Sequence, residues 1–307
     1  MTAPNRLAGR ELALLALLTG IWGFNWPVMK TGLTDVAPMT FRTITLTVAI
    51  PLLWVIVRAQ GKSLWVERAH WRELFGMALF NLVIWTICVI YGLQLLSSGR
   101  AAILGYTMPI WAAILGLLLY GERTSSRLAW GVLAAAGGVA LLLASEMSAL
   151  SGSPLGVLLM LAAALSWGMG THLMRRRTGA TPVIVITFWS SVFALVVCAA
   201  LAGLTEREQW NPSGITAPAA FSLFYNSVIV FGIAQVLWFR LATLLPPVAS
   251  GLSVLMIPVI GLISGAIFLD EPLYWQDGAA LACVVLAIAT VLLPARKPPQ
   301  AESGDSA

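Results

Sequence analysis

The chain has 307 residues, of which 59% are hydrophobic and only 10% are charged. One soluble core cannot bury so much apolar surface, so these values exclude an ordinary soluble domain and indicate a protein of the lipid bilayer. The formal net charge of +5 comes from basic residues in short loops, and this distribution does not indicate a nucleic-acid-binding surface.

Apolar stretches of roughly 20 residues, the length that crosses a bilayer as a helix, occur ten times along the chain. Arg6 and Arg10 precede the first stretch as in a signal peptide, but the stretch continues to Met29 without a convincing cleavage site, so we expect it to be retained. The pattern predicts an all-α polytopic membrane protein with ten transmembrane helices, at residues 12–30, 37–57, 73–96, 99–120, 128–145, 155–174, 182–203, 218–240, 247–269 and 275–293.

The loops between these helices carry unequal numbers of basic residues. With the amino terminus inside the cell, 14 of the 18 Lys and Arg residues lie on the cytoplasmic face and 4 on the opposite face. Cytoplasmic loops are enriched in Lys and Arg, so both termini are predicted to be cytoplasmic. Residues 297–307 are polar and read as a disordered cytoplasmic tail.

Two stretches that each run from a proline to a glutamate show that the chain contains an internal repeat. Pro109 precedes Glu122 by 13 residues, Pro258 precedes Glu271 by 13 residues, and the two stretches are 149 positions apart. Removal of one backbone donor at each proline predicts a kink, which could act as a hinge or shape a cavity wall. The two glutamates, Glu122 and Glu271, fall at helix ends. There they could act as gate residues or be ordinary interfacial residues.

Further matches extend the repeat over both halves. Trp22 and Gly23 fall on Trp167 and Gly168 at an offset of 145. Each half, residues 1–148 and 149–296, therefore holds five helices, and an odd number forces the second half to enter the membrane from the opposite side. Inverted repeats are typical of secondary transporters, whose substrate site lies near the membrane midplane between the repeats.

These features resemble the drug/metabolite transporter superfamily, in particular its ten-helix EamA-type branch, and within it the YddG-type aromatic amino-acid exporters. The residues that carry the resemblance are Trp22 to Asn25, Arg42, and the stretches from Pro109 to Glu122 and from Pro258 to Glu271. The resemblance covers residues 12–293. It implies export of a small solute across the bacterial inner membrane, with a preference for aromatic amino acids.

Ionisable groups are absent from the centres of the predicted helices, and the deepest, Arg42 and Arg240, are expected to reach the interface. We therefore expect transport without obligatory proton coupling. A phosphorylated solute would need a buried cationic clamp, whereas a zwitterion is easier to accommodate. Cys88, Cys198 and Cys283 have no paired spacing, so we predict neither a metal site nor a cofactor.

Polar and aromatic residues at cavity depth are the candidate substrate-binding residues. For each residue taken singly, a role in helix packing is the better explanation, but together the residues predict an aromatic-lined pocket, in which Asn81 and Trp85 share one helix face. The set comprises Trp22, Asn25, Asn81, Trp85, Tyr106, Trp167, Tyr225 and Asn226.

The prediction is a transporter that exports bulky neutral or aromatic amino acids by alternating access of the two halves. Efflux of cationic aromatic drugs and a non-transporting membrane scaffold are the alternatives. An intramembrane enzyme is disfavoured, because the only histidines are His70 in a loop and His172 alone near a helix end. The expected partners are a small solute and the lipid bilayer, and a monomer is the working expectation.

Overall fold

The computed structural model describes residues 9–122, 125–148, 152–244 and 247–292, and in these ranges it is helical without β-strands. The ten predicted membrane helices are confirmed, with ends within a few residues of those expected. Eight described helices are long and apolar enough to span a membrane, and the apolar segments Val254–Phe268 and Trp275–Val291 are shorter. The helices are α1 Gly9–Gly32, α2 Pro38–Ala59, α3 Arg68–Leu95, α4 Ser98–Tyr120, α5 Ser126–Ser148, α6 Pro154–Arg176, α7 Val183–Thr205, α8 217–244, α9 Pro247–Phe268 and α10 Trp275–Leu292.

Three of these helices depart from regular α geometry. The segments Leu79–Ile84 of α3 and Tyr225–Ala234 of α8 are π-helical. Helix α4 breaks at residues 106–107 into Ser98–Gly105 and Met108–Tyr120, because Pro109 lacks the N–H that would continue the helix. The equivalent Pro258 lies inside α9, which continues without interruption from Pro247 to Phe268.

The two repeats are visible in how their helices pack. A Cβ added to Gly23 of α1 would lie 2.5 Å from Ile260 Cγ2 of α9. A Cβ added to Gly168 of α6 would lie 2.8 Å from Ala112 N and 3.1 Å from Trp111 C of α4. Trp111 and Ile260 are 149 positions apart and the two glycines are 145 apart. The same glycine-mediated approach therefore occurs in both halves, on α1 with α9 and on α6 with α4.

Buried ionic contacts tie the outer helix ends together, where the loop charges place the extracellular face. Arg100 of α4 donates to Asp277 of α10 at 2.7 Å and to Glu146 of α5, and all three side chains are buried. Glu271, just beyond α9, accepts hydrogen bonds from the Ser98 backbone N–H at 2.8 Å and from its hydroxyl at 2.6 Å. These contacts join the first half of the chain to the second on the outer side.

Arg42, which was expected to reach the interface, is buried within the protein. It is only 7% exposed, one amino group lies 2.7 Å from Met29 Sδ, and the guanidinium carbon lies 5.8 Å from the centroid of the Phe41 ring. The boundary between residues 148 and 149 and the tail at 297–307 lie outside the described residues, so these divisions remain predictions.

Candidate functional site

Two candidate residues meet at the interface of α3 and α6. The ring centroids of Trp85 and Trp167 are 5.0 Å apart at an interplanar angle of 61°. Asn81, one turn before Trp85, packs so closely on Gly170 that any side chain there would collide with its amide. Ser166 Oγ donates to the Phe80 carbonyl at 2.6 Å and fixes the two helices in register. We call Asn81, Trp85 and Trp167 the α3/α6 cluster.

Four other candidates lie on α1 and α8, two helices that contact each other. Tyr225 Oη donates to the Ile21 carbonyl at 2.8 Å, so this phenol joins the two helices. Trp22 contacts Trp238, with ring centroids 5.5 Å apart. The four candidates, which we call the α1/α8 cluster, are Trp22, Asn25, Tyr225 and Asn226.

The two clusters occupy equivalent places in the repeats. Asn81 and Asn226 are 145 positions apart, and both lie in the π-helical segments of their helices. Trp22 and Trp167 have the same separation. A π-helical turn leaves backbone groups outside the regular ladder and is common at functional sites. The sequence analysis named both asparagines as candidates but did not pair them across the repeats.

Three amides in these clusters have an unused acceptor. The Oδ1 atoms of Asn25, Asn81 and Asn226 are buried and have no hydrogen-bond partner among the described residues. Asn226 is fully buried, and its Nδ2 donates to the Ser222 carbonyl at 3.1 Å. A buried acceptor without a donor costs about 1–3 kcal/mol, which a bound N–H donor would relieve.

Tyr106 lies apart from both clusters at the break in α4. It is buried, and its ring contacts Trp26 of α1 with centroids 6.3 Å apart. Thr107 Oγ1, beside it, donates to the Leu104 carbonyl at 2.6 Å and satisfies one acceptor that the break exposes. Trp26, which the sequence reading did not single out, joins this part of α4 to α1.

The two repeat-equivalent glutamates have different surroundings. Glu271 caps the first turn of α4, as described above, whereas Glu122 lies 3.7 Å from Arg176 and is 40% exposed. The guanidinium of Arg176 also stacks 3.8 Å from the Tyr120 ring. Pro109 lies at the start of the second segment of α4. The gate and hinge roles of these residues remain predictions.

Several buried polar residues make contacts that the sequence did not predict. His172 is buried, and its Nε2 lies 2.6 Å from the Ala112 carbonyl, which joins α6 to α4. Arg100 meets Glu146 and Asp277 across sequence separations of 46 and 177 residues, so no local spacing marks the cluster. Among the described residues, no group of three His, Cys, Asp or Glu side chains could hold a metal ion.

The sequence profile of the EamA-like transporter family matches residues 10–144 and 154–293. The chain belongs to the EamA-like transporter family. This EamA-like protein is therefore a multi-pass integral membrane transporter and not an enzyme.

Its relatives carry transporter names. The EamA-like protein is 26% identical to "Uncharacterized transporter YoaV" of Bacillus subtilis, over 91% of this chain and 96% of that protein. It is 24% identical to "Probable amino-acid metabolite efflux pump" of Escherichia coli, over 87% of this chain and 89% of that protein. A relative of the same description in Salmonella typhimurium is 26% identical, over 91% of each chain.

A solved structure has the same fold as the EamA-like protein. It is described only as a crystal structure of a protein, and it superposes with a TM-score of 0.63 over 92% of this chain and 95% of that chain. The sequence identity is 19%, so the likeness is one of fold alone.

Proposed function

We propose that this EamA-like transporter exports aromatic or other bulky neutral amino acids from the cytoplasm by alternating access. The observation that carries the proposal is the α3/α6 cluster, in which two indoles with ring centroids 5.0 Å apart lie one turn from a buried amide. An indole pair offers apolar surface and a polarised edge to an aromatic side chain.

The engagement of Arg100 and Lys30 by protein groups is consistent with a neutral or zwitterionic solute. Arg100 is neutralised by two carboxylates, and the Lys30 ammonium donates to the Leu93 and Leu96 carbonyls, so neither is available as a phosphate clamp. A dianion without a cationic partner would be costly to bury. The efflux-pump names of the enterobacterial relatives are consistent with an amino-acid metabolite as cargo and with export as the direction.

The outer contacts support a cycle in which the halves rock against each other. Arg100, Ser98 and Glu271 connect α4 to the second repeat at its outer end. Release of solute to the outside requires that these contacts separate, so the described arrangement corresponds to the outer side closed. The buried carboxylates of Glu146, Glu206 and Asp277 all accept from protein donors, which favours transport without obligatory proton coupling.

The test is counterflow by the purified protein in liposomes, with tryptophan, phenylalanine, leucine, aspartate and an aromatic cation as solutes. We expect exchange of the first three. Trp85→Ala and Trp167→Ala should each weaken tryptophan exchange about tenfold, since both remove ring contacts and apolar area. Trp210→Ala removes a 50% exposed indole in an outer loop and serves as the matched control.

Two results would contradict the proposal. One is failure of the wild-type protein to exchange any of the amino acids while it exchanges the aromatic cation. The other is exchange by the Trp85 and Trp167 variants at the rate of the Trp210 variant. An imposed pH step that drives accumulation would separately overturn the absence of proton coupling.

A further inference from the structure

The α1/α8 cluster has a polar feature that the equivalent α3/α6 cluster lacks. Position 25 in α1 is equivalent to position 170 in α6 at the offset of 145, and these positions carry Asn25 and Gly170. Asn81 therefore packs on a glycine in one cluster, whereas in the other cluster the position equivalent to that glycine carries a second amide. The repeat is symmetric in its backbone and asymmetric in its polarity.

The register of the helices places Asn25 and Asn226 at the same height along α1 and α8. Ser222 Oγ donates to the Val28 carbonyl at 2.5 Å, which fixes α1 against α8. Asn25 lies three residues before Val28, and Asn226 lies four residues after Ser222. Because the helices run in opposite directions and rise ~1.5 Å per residue, the two amides fall in the same layer.

The aromatic residues have the opposite asymmetry. Trp85 of α3 falls on Val230 of α8 at the offset of 145 and on Ala234 at the offset of 149, so the indole pair of the α3/α6 cluster has no aromatic counterpart at the equivalent position of α8. The α3/α6 cluster thus offers two indole rings in edge-to-face contact and one amide, whereas the α1/α8 cluster offers two amides and Trp22. A solute with one polar end and one aromatic end has only one complementary orientation.

We propose that Asn25 and Asn226 form a subsite for the protonated amino group of the solute, whose side chain points to Trp85 and Trp167. The inference rests on the proposed function and adds the orientation of the solute and the group that is recognised. Both Oδ1 atoms are buried acceptors without a donor. The Nδ2 of Asn226 is engaged by the Ser222 carbonyl, so its orientation leaves Oδ1 as the available atom. An ammonium group supplies N–H donors to both oxygens and is stabilised by them.

The experiment compares three probes that share the indole ring: L-tryptophan, tryptamine, which lacks the carboxylate, and indole-3-propionate, which lacks the amino group. The readout is the concentration at which each inhibits tryptophan counterflow. Asn25→Gly installs the residue of the other repeat, and Asn226→Leu removes the amide at similar volume. We expect both variants to weaken tryptophan and tryptamine about 10- to 100-fold, the effect of one hydrogen bond to a charged group, and to leave indole-3-propionate unchanged.

Further variants separate this role from a structural one. Asn25→Asp keeps an acceptor, and we expect it to bind tryptamine at least as tightly as the wild type. Trp85→Ala should weaken all three probes by a similar factor, because it removes contacts to the ring they share. Equal weakening of all three probes by Asn25→Gly, or no weakening, would overturn the proposal.

Two other results are informative in different ways. If replacement of sodium by choline shifts the affinity for tryptophan and Asn25→Gly abolishes that shift, the amides bind a metal ion and the ammonium subsite is overturned. If the wild type fails to exchange tryptophan, the proposed function fails first. The subsite is then tested by the thermal stabilisation that tryptamine and indole-3-propionate give to the wild type and to Asn25→Gly, and equal stabilisation overturns it.

Discussion

At the scale of single residues, the closest helix approaches depend on glycines that have no room for a methyl group. Gly23 and Gly168 occupy equivalent positions in the repeats, and each lies against a helix of the other repeat. Gly23 lies against α9, and Gly168 lies against α4. Gly137 of α5, by contrast, has no atom within 4 Å of an added Cβ. The three positions have similar helical backbones, so their differences in mutational cost report packing alone.

Gly168→Ala is expected to lower the unfolding temperature, and Gly137→Ala is not. The new methyl group at 168 would meet the backbone of α4, and overpacking of this kind costs about 1–3 kcal/mol. At position 137, the gain of about 1 kcal/mol in helix propensity is unopposed. Thermal unfolding of the detergent-solubilised variants measures both effects. Equal unfolding temperatures for the two variants would show that α4 and α6 are not in the contact described.

Arg100 is expected to be the most costly charged residue to neutralise. Arg100→Gln leaves the buried carboxylates of Glu146 and Asp277 without their shared cation, and breaking a buried ion pair from one side costs about 3–5 kcal/mol. Arg58→Gln, at an exposed position at the inner end of α2, is the control. The free energy of unfolding in mild detergent distinguishes them, and a cost for Arg100→Gln no larger than that of Arg58→Gln would contradict the buried cluster.

At the scale of helices, the sequence predicted positions well and local geometry less well. Apolar windows located every membrane helix, because each span must satisfy its backbone internally and cover roughly 20 residues. The prolines at 109 and 258 looked equivalent, yet only α4 is broken. A proline allows a break, and the packing of the neighbouring helices decides whether one forms.

Glu271 and Glu122 should therefore differ in what their removal does. Glu271→Ala removes acceptors from the first turn of α4, and loss of such a cap costs about 0.5–2 kcal/mol. Glu122→Ala breaks one half-exposed pair with Arg176, which contributes about 0–1 kcal/mol. Parallel thermal unfolding of the two variants is the measurement. A larger effect at 122 than at 271 would reverse the assignment.

The substrate-binding roles of the candidate residues remain predictions, and the structure places only some of these residues in contact. Trp85 and Trp167 meet as an aromatic pocket would require, although nothing in the local sequence places α3 against α6. The Tyr225 hydroxyl donates a hydrogen bond to the backbone of α1, and Tyr106 contacts Trp26 at the break in α4. Such contacts join residues far apart in sequence, so helix periodicity alone could not supply them.

At the scale of the whole molecule, the loop charges predict that both ends of the chain face the cytoplasm. Lys62 lies between α2 and α3, and Asn211 lies between α7 and α8, and both are exposed. In a background in which the three cysteines are replaced, a membrane-impermeant maleimide should label Asn211→Cys in intact cells and Lys62→Cys only after permeabilisation. Labelling in the reverse order would invert the topology and move the closed outer end to the cytoplasmic side.

The π-helical segments carry a record of how the two halves diverged. The segment of α3 has 6 residues and that of α8 has 10. The offset between the halves grows by the same four residues, from 145 at Asn81 and Asn226 to 149 at Pro109 and Pro258. Four residues are about one helical turn. The difference in length between the two halves therefore coincides with the difference between their π-helical segments, and the positions beyond these segments, such as Pro109 and Pro258, keep a constant offset of 149.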